Sequence, residues 1–342
     1  MTHDLVLKAP IELGFVPTHA KFVGSLVPES DGRLPRAADG RFKVVEAVEA
    51  VLACSPVAVA AVQVPVFPGT AEGEWDAVIA DLRELGLVVH LVIMMGGVDP
   101  MDPADEDATV AQLRVPLEAA KRNGVAHVSA TSVELWMQEN ARRKEGAEFE
   151  QAVAQLVKMH LRAYREAGLE GSCVEAWHVE FLRPGEFTTF TDVGRLWTFV
   201  KAANEALGKP FFRCLVDASH CGDSPLDIPA HEALIAEIAA GGGLGIMHAS
   251  AKTTRGCLST DDGWTAALLA AAARTGELRQ VFVEMFHHED PALEALRKLD
   301  PGHGIDTRDG RGYDQVVADG LGTVARMLNG YVSRGWLPPA GS

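Results

Sequence analysis

The chain has 342 residues, 47% hydrophobic and 23% charged, enough to build a sizeable core and too apolar to be disordered. A formal net charge of -16 repels phosphate backbones and anionic lipid, so neither nucleic acid nor a membrane surface is expected as a partner. Cys54, Cys173, Cys214, Cys221 and Cys257 are scattered and odd in number, which argues against a disulfide framework or a CxxC metal site and fits a reducing cytoplasm. The opening MTHDLVLKAP lacks the basic-then-apolar order of a secretory signal, and no apolar run is long enough to span a bilayer. A cytoplasmic location is therefore expected.

Short apolar or β-branched runs read as strands in chain order: KFVGSLV (21–27), VAVAAVQVPV (57–66), LVVHLVIMM (87–95) and VAHVSA (125–130). VEAWHVEFL (174–182), FFRCLVD (211–217), LGIMHAS (244–250) and VFVEMF (281–286) complete a set of eight. Amphipathic stretches separate them. EWDAVIADLRELG puts Trp75, Val78, Ile79 and Leu82 at helical spacing and stops at Gly86. EFEQAVAQLVKMHLRAYREAG predicts a long helix ending at Gly168. FTDVGRLWTFVKAANEALG predicts another, capped by Thr191-Asp192 and closed by Gly208.

Nearly continuous apolar strands alternating with helices imply a parallel sheet covered on both faces. Eight repeats predict an α/β fold of the (β/α)8, or TIM barrel, type in a single domain over 1–342. An open doubly wound sheet is the alternative, but neither GxGxxG nor GxxxxGK[ST] is present, and GGGLG (241–245) precedes a strand. The long connections 28–41, 96–107 and 287–314 are expected at the barrel mouth, and the tail WLPPAGS is expected to fray.

The last four strands end in Glu180, Asp217, His248 and Glu284. Four such groups on adjacent strands would converge on one side of the mouth. Three carboxylates and an imidazole suit one hard or borderline divalent ion, Mn²⁺ first, with Mg²⁺ or Co²⁺ next. Packing the carboxylates together without a cation would be costly.

These residues resemble the xylose-isomerase-like superfamily of sugar isomerases and epimerases, nearest the ketose 3-epimerase and hydroxypyruvate isomerase type. The resemblance implies a barrel whose metal is held by Glu180, Asp217, His248 and Glu284. It extends to Glu186, six residues after Glu180, to His220, three after Asp217 in DASHCGD, and to Arg255 in HASAKTTRG. It covers the second half of the chain; in the first half only the alternation matches, with Glu134 and Trp136 in SVELW as strand-four pocket residues. By resemblance, Glu180 and Glu284 are also the acid/base pair, His220 and Arg255 hold sugar oxygens, and Glu186 contacts a terminal hydroxyl or orients Arg255.

The chain also departs from the pattern. Arg183, Pro184 and Gly185 replace an Asn that often follows the first Glu, and Lys252 is added after the metal His. His178 shares the face of Glu180 by strand periodicity and reads either as a core histidine or as an additional catalytic group. Arg183 reads as a surface or a site residue, and His287, His288 and His303 as solvated loop residues. Cys214 and Cys221 read as small packing groups.

The leading functional reading is a divalent-metal isomerase or epimerase of an unphosphorylated sugar, keto-sugar or cyclitol, acting through a metal-stabilised enediolate. The absence of a phosphate cradle at a helix N-terminus favours unphosphorylated substrates. The alternative is a lyase on the same barrel, of the 3-oxo-C-glycoside deglycosidase or inosose dehydratase type, with His178 as an extra acid/base. A homo-oligomer is compatible with either reading, and the lyase reading also admits a partner subunit. The superfamily's DNA-repair endonucleases use a basic groove that a charge of -16 does not supply. A sugar-binding scaffold on a degenerate barrel would be expected to have lost one of the carboxylates.

Overall fold

Between Pro10 and Pro17 a short segment, β1 (Glu12–Val16), opens the barrel in the computed structural model, which describes residues 4–17, 26–251, 258, 261–285, 294, 298 and 311–341. This corrects the expected first strand at 21–27, most of which lies outside the described residues. Glu12 and Gly14 interrupt the apolar run of ELGFV, and both interruptions have structural causes. Glu12 Oε1 lies 2.7 Å from His90 Nε2. A methyl group on Gly14 would come within 2.5 Å of the Ala61 carbonyl oxygen and 2.6 Å of the Phe282 ring, so only glycine fits.

The other seven strands match the predicted runs, β8 starting one residue earlier than predicted: β2 (Ala61–Val66), β3 (Val88–Ile93), β4 (His127–Ala130), β5 (Ala176–Glu180), β6 (Phe212–Asp217), β7 (Leu244–Ala249) and β8 (Gln280–Glu284). All pair in parallel in sequence order, and β8 pairs with β1 to close the barrel. The fold is a single α/β TIM barrel.

Helices cover its outside: α1 (Lys43–Cys54), α2 (Glu74–Glu84), α3 (Glu106–Arg122), α4 (Gly146–Glu166), α5 (Val193–Leu207), the short α6 (Ala218–Asp223), α7 (Ile228–Ala240), α8 (Trp264–Thr275) and α9 (Tyr313–Ser333). The predicted cap of α5 is present. Asp192 Oδ1 accepts from the Arg195 N–H at 2.9 Å, and Gly208 ends the helix at φ +80°.

Strand alternation sorts side chains between two compartments. Outward-facing Trp177 meets His160 of α4 at 5.0 Å between ring centroids. Inward-facing Val16, Ala61, Leu215, Ile246 and Phe282 form an apolar plug inside the barrel. The tail does not fray as expected: Leu337 is buried, and the Ala340 N–H donates to the Lys8 carbonyl at 2.7 Å.

Candidate metal centre and active site

Above the plug, β5 to β8 each deliver one polar side chain at or near their C-terminal ends. Glu180, Asp217, His248 and Glu284 are all buried, and each offers one ligand atom such that the four atoms lie within 4.8 Å of one another. Asp217 and His248 are direct partners in the β6–β7 register. His248 Nδ1 lies 3.2 Å from Glu284 Oε2, 3.8 Å from Glu180 Oε1 and 4.0 Å from Asp217 Oδ2.

The local structure orients each donor. Asp217 caps α6, its Oδ1 accepting from the Ser219 N–H at 2.6 Å and from the Ser250 hydroxyl at 3.2 Å. That leaves Oδ2 toward His248. The Ser250 carbonyl accepts in turn from Thr265 Oγ1 at 3.2 Å, tying the end of β7 to α8. Burial opposes charge on His248, but Glu284, Glu180 and Asp217 outweigh it and raise its pKa to about 9. One imidazolium cannot balance three carboxylates, so the donor set fits a divalent ion: hard oxygen donors, one imidazole nitrogen and a net negative charge.

Next to this group stands His220, fully buried. Its Nδ1 accepts from the Arg183 backbone N–H at 3.2 Å. The ring proton is therefore on Nε2, which lies 3.4 Å from Glu180 Oε1. Glu186 is also buried. It accepts from the Trp136 indole N–H at 3.2 Å, and its Oε2 lies 3.4 Å from Arg183 Nε. Arg183, left open between surface and site, is buried, with its Nη1 3.3 Å from Asp223 Oδ2.

Glu134 clamps the chain just beyond this turn. Its carboxylate accepts backbone N–H groups of Thr188, Thr189 and Phe190 at 2.8–3.0 Å. Burial raises its pKa against those three donors. Glu134 and Trp136 thus support the wall that carries Glu186.

His178 does face inward, as alternation requires, but one layer below Glu180. Its Nδ1 accepts from the Ile246 N–H at 3.2 Å, and its Nε2 lies 3.2 Å from His127 Nδ1. A methyl group on Gly245 would come within 2.4 Å of that Nδ1, so β7 passes close against the ring. Burial first, then His127 and His90, hold the His178 pKa well below its usual value. His127 stacks on His90 at 4.9 Å, so His178 continues a histidine column that starts at Glu12.

Two buried residues of this region were not singled out from the sequence. Gln63 Oε1 meets His248 Nε2 at 2.8 Å, and Gln63 Nε2 donates to Ser129 Oγ at 2.6 Å. The available signal was a lone amide in the apolar run AVQVPV. Arg255, Lys252, His287, His288 and His303 lie outside the described residues, as does most of 287–314. Among the described residues no helix is long and apolar enough to cross a membrane.

No family model and no curated protein matches the sequence. Solved structures do match. An L-ribulose 3-epimerase is 18% identical with a TM-score of 0.68, covering 95% of this chain and 97% of its own. A D-allulose 3-epimerase from Methylomonas sp., in complex with D-allulose, is 16% identical with a TM-score of 0.68, covering 95% and 100%. A xylose isomerase domain protein from Alicyclobacillus acidocaldarius is 18% identical with a TM-score of 0.55, covering 93% and 99%. At these identities the likeness establishes the fold, the same barrel that the strand-end residues resemble.

Proposed function

We propose that the chain is a divalent-metal-dependent isomerase or epimerase of an unphosphorylated sugar, keto-sugar or cyclitol. The observation that carries this reading is the buried convergence of Glu180, Asp217, His248 and Glu284 within 4.8 Å at the mouth of the barrel. These four residues would hold the ion, Mn²⁺ first, with Mg²⁺ or Co²⁺ as alternatives. When bound, the ion supplies Lewis-acid polarisation of a carbonyl and its neighbouring hydroxyl.

The chain's own groups do the rest. Glu180 on β5 and Glu284 on β8 reach the centre from different strands and serve as the base that takes the proton beside the carbonyl and the acid that returns one. The His220 Nε2–H, directed toward Glu180 Oε1 at 3.4 Å, orients that carboxylate and offers a donor to a sugar oxygen. Glu186, fixed by Trp136 and Arg183, presents a carboxylate to a hydroxyl farther from the reacting carbon. Arg255 keeps the substrate-binding role that the family resemblance implies. A cytoplasmic enzyme, alone or as a homo-oligomer, fits this reading.

The lyase alternative relied on His178 as an extra base. Both ring nitrogens of His178 have protein neighbours below the metal group, so the geometry favours the isomerase or epimerase. Incubation with Mn²⁺ and unphosphorylated keto-sugars in D₂O tests the choice. Deuterium should enter the carbon beside the carbonyl with no group released. Release of water or an aglycone would overturn the assignment in favour of the lyase.

A further inference from the structure

We infer that Gln63 and Ser129 are positioning residues that fix which nitrogen of His248 faces the carboxylates, and so set the strength of the metal site. The inference rests on the metal reading proposed above.

The polarity of a buried hydrogen-bond chain carries it. At one end is the backbone carbonyl of Leu91, which can only accept, and the Ser129 hydroxyl donates to it at 3.4 Å. With its proton committed there, Ser129 Oγ must accept from Gln63, whose Nε2 lies 2.6 Å away. An amide that turns its NH₂ to Ser129 turns its carbonyl oxygen the other way. That oxygen lies 2.8 Å from His248 Nε2 and can only accept, so the His248 Nε2 must carry a proton. Nδ1 is then the nitrogen offered to Glu180, Asp217 and Glu284, which is the direction in which it points.

Gln63 sits on β2 and Ser129 on β4, neither of which supplies a candidate ligand, and β4 is the direct neighbour of ligand strand β5. Both are buried inside the barrel, where an apolar side chain would otherwise be expected. Among the described residues, this chain of hydrogen bonds is what satisfies their side chains. Groups that hydrogen-bond the far nitrogen of a ligating histidine fix its tautomer and ring orientation and raise its basicity as a ligand.

Mn²⁺ titration calorimetry on chelator-stripped protein tests this, with Gln63→Leu, Gln63→Glu and Ser129→Ala beside the wild type. Gln63→Leu removes the acceptor at similar volume and should weaken Mn²⁺ binding by about ten- to a hundredfold. Gln63→Glu keeps an acceptor and should stay close to the wild type, and Ser129→Ala should fall between. In ¹⁵N-histidine protein loaded with Mg²⁺, the His248 signal, assigned with His248→Asn, should show the proton on Nε2.

Unchanged affinity in Gln63→Leu, equal losses in Gln63→Leu and Gln63→Glu, or a proton on His248 Nδ1 would each overturn the inference while leaving the metal reading intact. A wild type that binds no divalent ion would overturn both. If Gln63→Leu does not fold, Ser129→Ala and the wild-type spectrum decide the matter.

Discussion

Glu180 and Glu284 are asked to move protons, whereas Asp217 and His248 are asked only to stay still. The hydrogen bonds fit that division: Asp217 is tied through Ser219 and Ser250, and His248 through Gln63. Glu180→Gln should therefore leave the fold intact and lower turnover by about 10²- to 10⁴-fold, the usual contribution of a positioned acid or base. Circular dichroism and D₂O exchange on the same sample measure the two effects; wild-type exchange in the variant would remove Glu180 from the mechanism. The four candidate ligands were legible because each ends a recognisable strand, where a carboxylate or imidazole is conspicuous. His220 and Glu186 were singled out by their offsets from the ligands in the family that the chain resembles. Gln63 and Ser129 were not legible, since a lone polar residue in a strand shows its partner only once the register across the barrel is known. His178 illustrates the opposite limit: alternation gave its face correctly but said nothing of its depth.

Among the elements, seven strands were readable as apolar runs of the right length. β1 was not, because its inward positions carry Glu12 and Gly14, which answer to His90 and Phe282 on strands distant in sequence. Gly14→Ala should accordingly destabilise the barrel by about 1–3 kcal/mol through overpacking. Urea denaturation measures it, and an unchanged midpoint would mean that β1 and β8 have room to separate. The turn after β5 depends on Glu134 in the loop after β4, the strand that precedes β5 in the chain. Glu134→Ala would strand the N–H groups of Thr188, Thr189 and Phe190, at a cost of about 1–3 kcal/mol for each donor that water does not reach. Because that turn follows Glu186 directly, the KM for the sugar should rise as well. A KM unchanged in a destabilised variant would limit Glu134 to a structural role.

Over the whole molecule, buried histidines should make stability depend on pH. His160 is enclosed by Trp177, Phe199 and Phe212, and burial lowers its pKa to about 4; His127 is lowered to about 4 by burial and by His90. Below about pH 6.5 the unfolded chain takes up protons that the folded histidines refuse. The contribution of these two histidines to stability is therefore full above that value and is lost as pH falls toward 4, by about 2 kcal/mol at pH 5 for His160 alone. Denaturation midpoints at pH 7 and pH 5 measure the loss, and His160→Leu should reduce it; a flat profile would contradict the buried neutral state. The central claim, that β5 to β8 together hold a divalent ion, is tested most directly by equilibrium dialysis of chelator-stripped protein against Mn²⁺ followed by metal analysis. The wild type should retain a single ion per chain, and a variant combining Asp217→Asn with Glu284→Gln should retain none. Equal retention by the two proteins, or none by the wild type, would contradict the account.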